Sequence, residues 1–326
     1  AYLGALPEWE LADLYPGADS PELTADLDRA EKAAKSFSDK YKGKLVSLDG
    51  KVLGAAIAEY ETIDETMGRV MSYAQLVYAG NVSDPEIGRF YQSMQERVND
   101  ISAHLLFFSL ELNEIEDQAM AKQLKAAKAA KYRPWLEDIR SFRPHQLEED
   151  MERLLHDKRV AGRAAWNRLF DETMADMRFD HDGKMLTSEE VMNMLSNPDE
   201  GVRKSAAQTL GRELEKHART FSLITNTLAK DKEIEDRWRS FARPESSRNL
   251  ANQVEDEVVD ALNKAVLDSY PDLSHRYYAM KAGWFGKDRL EQWDRNAPLP
   301  DADNSVIPCD QASASVLNAY RVFPPA

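Results

Sequence analysis

Apolar residues spaced four and three apart recur through most of this 326-residue chain, and that spacing constrains its fold more than any other feature. An α-helix turns once every ~3.6 residues, so positions spaced this way share one face that needs covering. Leu23, Leu27, Ala30, Ala34, Phe37 and Tyr41 form the first such set. Ser20 and Pro21 open it as N-cap and first helical residue, and Gly43 closes it. Leu53, Ile57, Tyr60, Ile63, Met67, Val70, Ala74 and Val77 form the second, ended by Gly80-Asn81. Ser83-Asp84-Pro85-Glu86 then reads as a capping box, ahead of a third set running from Phe90 through Met94, Val98, Ile101, Leu105 and Phe108 to Leu112. Three long amphipathic helices with short connections predict an antiparallel bundle.

Beyond a Lys/Ala-rich stretch, Ala119 to Lys131, prolines 134 and 144 limit the segment between them to a short helix. Helical spacing returns from Leu147 to about Met177, with Met151, Leu154, Leu155, Val160, Trp166, Leu169 and Phe170 as its apolar residues. One stretch breaks the rule. Between Met177 and Leu186, two short runs flank Asp182-Gly183, a favoured hairpin turn because glycine reaches positive φ at little cost. Thr187 and Glu190 make a capping box, and Ser196-Asn197-Pro198 precedes a long helix with Val202, Ala206, Leu210, Leu214, Phe221, Ile224 and Leu228 on its expected buried face. Asn252 is read as the cap of a helix carrying Val258, Leu262 and Val266, which Pro271 ends. A further helix reaches about Gly286. The stretch around Trp293–Leu299 is read as partly extended, and a last helix spans Gln311 to Tyr320. The predicted fold is mainly α, helical hairpins in a bundle with one short β-hairpin near 177–186.

Charge narrows the function. With 57 acidic against 42 basic residues the net charge is −15, which disfavours nucleic acid and anionic membranes. No apolar run is long enough for a transmembrane helix, and residues 1–8 lack the basic and apolar regions of a signal peptide, so a cytoplasmic protein is expected. Cys309 is the sole cysteine, which excludes an internal disulfide and a multi-cysteine zinc site. The histidines, His104, His145, His156, His181, His217 and His275, include no pair four residues apart, so H-E-x-x-H is absent. His104 sits in an apolar run and reads as a hydrogen-bonded core residue. G-x-S-x-G, the P-loop and G-x-G-x-x-G are also absent. Asp180, Asp182, Gly183 and Glu189 imitate a calcium loop, but its first ligand position falls on Arg178. Tyr277, Tyr278, Trp284, Phe285 and Trp293 suit either a ligand groove or a bundle core.

Several stretches resemble the oligoendopeptidase F branch of the thimet-oligopeptidase-like zinc peptidases. They are Leu6-Pro7-Glu8-Trp9-Glu10-Leu11-Ala12-Asp13-Leu14-Tyr15-Pro16, the hairpin Phe179 to Leu186 with Thr187-Ser188-Glu189-Glu190, Asp231-Lys232-Glu233-Ile234-Glu235-Asp236-Arg237, Leu273-Ser274-His275-Arg276-Tyr277-Tyr278, and Trp293-Asp294-Arg295-Asn296-Ala297-Pro298-Leu299. The resemblance implies an α-rich fold around a deep channel for short peptides. It divides the chain into N-terminal helical hairpins at 1–118, a helical segment with the β-hairpin at 119–200, and the incomplete start of a peptidase-type helical region at 201–326. The family's chemistry needs H-E-x-x-H and a downstream glutamate around zinc. No position here matches that motif, so the resemblance implies the N-terminal half only, truncated before the zinc helix, with no catalytic or metal residue to assign. Zinc belongs to the full-length parent and none is expected in this chain. His275, Tyr277, Tyr278, Trp293 and Arg295 are the candidates for the substrate channel. Apolar faces after Val202 are then expected to be exposed, inviting self-association or a complementary C-terminal fragment. The alternative is a non-catalytic α-helical binding or scaffold protein.

Overall fold

Ser20 accepts a hydrogen bond from the Leu23 amide and, with Pro21 next in line, starts helix α1, Pro21–Tyr41. The chain leaves α1 through Gly43, whose φ of +75° suits a residue without Cβ. Asp49 caps α2, Gly50–Gly80, and Asp84 caps α3, Pro85–Ala103. The three pack on one another as the apolar spacing predicts. This computed structural model describes residues 9–300 and 305–323.

The main core lies in this bundle. Phe37 is fully buried and its ring meets those of Tyr41, Tyr60, Phe107 and Phe108, with centroids 4.8 to 6.2 Å apart. The last two rings arrive on α4, Leu106–Glu114. The third apolar set is therefore two helices, not one. The chain turns at His104–Leu105 and restarts, which sets Phe107 and Phe108 against α1. The Lys/Ala-rich stretch likewise splits, into α5 (Asp117–Gln123) and α6 (Ala127–Ala130). Helix α6 crosses α2 at Gly54, where an added Cβ would lie 2.4 Å from the Lys128 carbonyl carbon. Helix α7, Arg133–Ser141, closes this part with Leu136 buried and Trp135 against the core.

Gly162 interrupts the next predicted helix, giving α8 (Glu149–Lys158) and α9 (Arg163–Asp176). Both are helical as the spacing predicts, but neither buries a residue, and Met151, Leu154, Leu155, Leu169 and Phe170 are exposed. The hairpin forms where expected: β1 (Phe179–His181) pairs antiparallel with β2 (Lys184–Leu186) around Asp182 and Gly183, both at positive φ. Thr187 and Glu190 complete the capping box of α10, Ser188–Met194. A second, small core joins Met177, Phe179, Val191 and Ala206.

Helix α11, Glu200–Trp238, is 39 residues long. Its buried residues are Arg203, Ala206, Thr209, Glu213 and Ile224, so its inner face is more polar than the apolar pattern predicts, and Leu214 is exposed. At its end Arg239 forks onto Glu152 of α8 at 2.6 and 2.8 Å, and its carbonyl accepts the His145 Nδ1 proton at 2.7 Å. Then follow α12 (Ser246–Ala251) and α13 (Asp256–Ser269). Asn252 terminates α12 and does not cap α13. Pro271 also does not end the helical path. Proline lacks an amide hydrogen, and the chain widens here into a single π-turn in which the His275 amide bonds the Tyr270 carbonyl, five residues back, at 2.9 Å before α14 (Arg276–Trp284) continues. Gly286, φ +65°, ends α14. The stretch around Trp293–Leu299 forms no strand; Gln292–Asp294 is one 3₁₀ turn. The last helix is α15, Cys309–Tyr320. No helix among the described residues is long and apolar enough to cross a membrane.

Candidate functional site

Two of the sequence-selected residues, Trp293 and Arg295, flank a buried charge cluster. The cluster begins with Asp199, which caps α11 and so fixes the first turn that carries Glu200 and Arg203. Arg203 is 1% exposed and Asp294 0%, and the Arg203 Nη2 donates to Asp294 Oδ1 at 2.7 Å. Three more guanidinium hydrogens go to the carbonyls of Asn197 and Pro198, each at 2.8 Å, and of Trp293 at 3.2 Å. Lys287 bridges the other Asp294 oxygen to Glu200, both at 2.6 Å. Lys281 of α14, also buried, donates to the Arg295 carbonyl at 2.8 Å. Burial alone would push the Asp294 carboxyl up, but hydrogen bonds from Arg203, Lys287 and the Glu291 amide outweigh it and hold the group below the usual carboxylate range. Lys281 is shifted down, first by burial and then by the neighbouring Arg203 charge.

This clasp ties α14 and the 292–297 turn to the start of α11. Trp293 is held by it: its Nε1 reaches Glu200 Oε1 at 3.4 Å and the Lys204 ammonium lies 5.4 Å from its ring centre. The Arg295 side chain is exposed. Tyr277 and Tyr278 touch each other, ring centres 5.5 Å apart, and are exposed; His275 is exposed beside Tyr270. The structure thus gathers Trp293 and Arg295 on the clasp and Tyr277 with Tyr278 on α14. Arg203, Lys281 and Asp294 were not selected from sequence. The available signal was an arginine placed in phase with Ala206, three residues on, at the start of a helix.

Chemically the clasp positions and does not react, since its ionised groups are paired with one another or with carbonyls. Among the described residues no group of three or more His, Cys, Asp or Glu side chains is placed to hold a metal ion. His104 is half-buried at the end of α3 and makes no side-chain hydrogen bond among the described residues, unlike the bonded core residue expected. The donor set that zinc requires is not assembled by these residues.

Comparison with known proteins supplies the missing context. A family profile described as Oligopeptidase F matches residues 111–179, from α4 to the first strand. An oligoendopeptidase F homolog of Lactococcus lactis subsp. lactis (strain IL1403) is 23% identical over 317 residues, covering 90% of this chain and 50% of the relative. The crystal structure of oligoendopeptidase-F from Enterococcus faecium superposes with a TM-score of 0.76 at 21% identity, covering 85% of this chain and 56% of that one. The chain resembles the N-terminal part of oligoendopeptidase F. PZ peptidase A shares the same fold, with a TM-score of 0.63 at 12% identity over 90% of this chain and 50% of its own. The chain spans about half the length of the oligoendopeptidase F relatives it matches. Of the stretches that carry the resemblance in the sequence, only the start of the hairpin falls inside the profile match, whereas the structural likeness to oligoendopeptidase F extends over most of the chain.

Proposed function

We propose that this chain is the N-terminal portion of a cytoplasmic zinc metalloendopeptidase that cleaves short oligopeptides. The observation that supports this best is the superposition on E. faecium oligoendopeptidase-F over 85% of the chain. In this reading residues 201–326 begin the catalytic region, and His275, Tyr277, Tyr278, Trp293 and Arg295 belong to the channel wall. No catalytic step is assigned to residues present here, because none forms the zinc ligand set. The chain alone is inactive.

The apolar surface supports the same reading. After Val202 the buried apolar residues are Ala206, Ile224, Ala282 and Ala297, while Leu262, Leu267 and Leu273 are each 60% exposed or more. Faces of this kind on α13 and the π-turn after it suit burial against further helices, or against a second copy when those are missing. Two assays test the proposal. The 326-residue chain, incubated with zinc and an internally quenched peptide, is expected to give no turnover; stoichiometric zinc with chelator-sensitive cleavage would refute that. A longer protein containing this chain and H-E-x-x-H is expected to cleave the same peptide, and failure to do so in zinc would remove the peptidase reading.

A further inference from the structure

Away from the clasp, a groove of about 840 Å³ runs between the α2–α3 hairpin and the α8–α10 segment. That volume lies within the ~300–1,000 Å³ typical of small-ligand sites. Three contacts fix how its walls align. Ser102 Oγ lies 3.0 Å from His156 Nε2, Arg168 Nη1 donates to Gln92 Oε1 at 2.6 Å, and Ser83 Oγ donates to the Ala175 carbonyl at 3.5 Å. The second wall therefore runs antiparallel to α3, and apart from Arg168, which is paired with Glu172 at 3.4 Å, its charged residues are sorted along the groove. His156, Arg159 and Arg163 line the end beside Asn99 and Ser102. Asp171 and Glu189 line the end toward Ser83. Neither Arg159 nor Arg163 has a carboxylate partner among the described residues.

Between these ends the lining changes character. Tyr78 and Tyr91 stack, rings 4.7 Å apart and 9° from parallel, and the buried Tyr78 hydroxyl makes no hydrogen bond among the described residues. Gln75, Gln95, Asn99 and Asn167 offer amide donors and acceptors over this apolar patch. Burial and the Asp171 carboxylate both hold the Tyr91 hydroxyl protonated above its ordinary range. From Tyr91, near Asp171, to Asn99, whose carbonyl lies 3.0 Å from His156 Nε2, α3 rises about 12 Å at ~1.5 Å per residue. An extended peptide covers ~3.3–3.6 Å per residue, so three to four residues span that distance.

We propose that this groove binds a short unblocked peptide of about three to four residues, its C-terminal carboxylate toward His156, Arg159 and Arg163 and its ammonium toward Asp171 and Glu189. The amides pair with the peptide backbone, and arginine suits the carboxylate because its planar fork donates two parallel hydrogen bonds. The site is separate from the proposed channel residues, and binding by this chain does not depend on the peptidase reading.

The test is calorimetric titration of the 326-residue chain with Ala-Leu-Ala-Leu, its C-terminal amide and its N-acetyl form. One-to-one binding of the free peptide is expected, weakened at least tenfold by amidation and severalfold by acetylation. The double variant Arg159→Gln, Arg163→Gln changes exposed side chains. It is expected to keep the native circular dichroism spectrum, to lose at least tenfold for the free acid, and to lose nothing further for the amide. Adenosine monophosphate, an anion with a stacking ring and no ammonium, is expected not to displace the peptide. No binding at millimolar peptide, equal binding of acid and amide, unchanged binding by the double variant, or displacement by the nucleotide would each overturn the proposal.

Discussion

Replacing Asp294 by alanine leaves the Arg203 guanidinium, 1% exposed, without its carboxylate, and frees one side of Lys287. Removing one partner of a buried ion pair costs ~3–5 kcal/mol, because the other charge stays desolvated. The lower end applies here, since Arg203 keeps three backbone carbonyls. A loss of about 3 kcal/mol is a little over a hundredfold at ~1.4 kcal/mol per factor of ten. The amide of Ala297 reports it directly, because it is buried and bonds the Asp294 carbonyl at 3.1 Å. Hydrogen exchange at that amide is expected to speed up by about that factor at neutral pH. The pH dependence has a fixed sign. A carboxylate with a depressed folded pKa contributes stability that is complete above its unfolded value, ~3.9, and that fades as pH falls through the folded value. Protection at Ala297 should therefore decline below about pH 4 in the parent and not in Asp294→Asn, which cannot titrate. Exchange accelerated less than fivefold by Asp294→Ala, or identical acid profiles for parent and Asp294→Asn, would refute the clasp as the element that holds this segment.

Two glycines of α2 should respond oppositely to alanine in urea denaturation. Gly54→Ala forces a Cβ against α6 backbone and should destabilise by ~1–3 kcal/mol or more, whereas Gly68→Ala, with nothing within 4 Å, should stabilise by ~0.5–1 kcal/mol through helix propensity. Phe37→Ala removes the ring at the centre of the main core and should cost ~3–5 kcal/mol, seen as a lower denaturant midpoint with the slope unchanged.

What the sequence made legible was local. Ser20-Pro21, Asp182-Gly183 and Thr187 with Glu190 each carry their own chemistry within four residues, and each lands where predicted. Pro271 misled because proline's effect depends on whether the helix can widen by one residue, which packing decides. The break at His104–Leu105 is likewise tertiary: the apolar spacing continues across it, and only the demand of Phe107 and Phe108 for α1 explains the restart. In α11 the apolar stripe pointed to Leu214, but Arg203 and Glu213 are buried instead, Arg203 against Asp294 far along the chain. The clasp was invisible for the same reason, since Arg203 and Asp294 stand 91 residues apart and nothing in either neighbourhood announces the other. The groove's polarity was hidden because it arises only when α3 and α9 lie antiparallel. Val258, Leu262 and Val266 had the spacing of buried residues yet are exposed, and the expectation of uncovered apolar faces after Val202 came from the family resemblance and not from periodicity.

Helix α11 is about 58 Å long at ~1.5 Å per residue, and it is pinned at both extremities, by Arg203 to Asp294 and by Arg239 to Glu152 and His145. A rod fixed at two points transmits displacement as well as it resists bending. A shift of the 292–297 turn that keeps the Arg203 pair intact has to travel along this rod and emerge at residues 145–152, where α8 starts. Mechanically, two regions tied to opposite ends of one helix are then coupled through it.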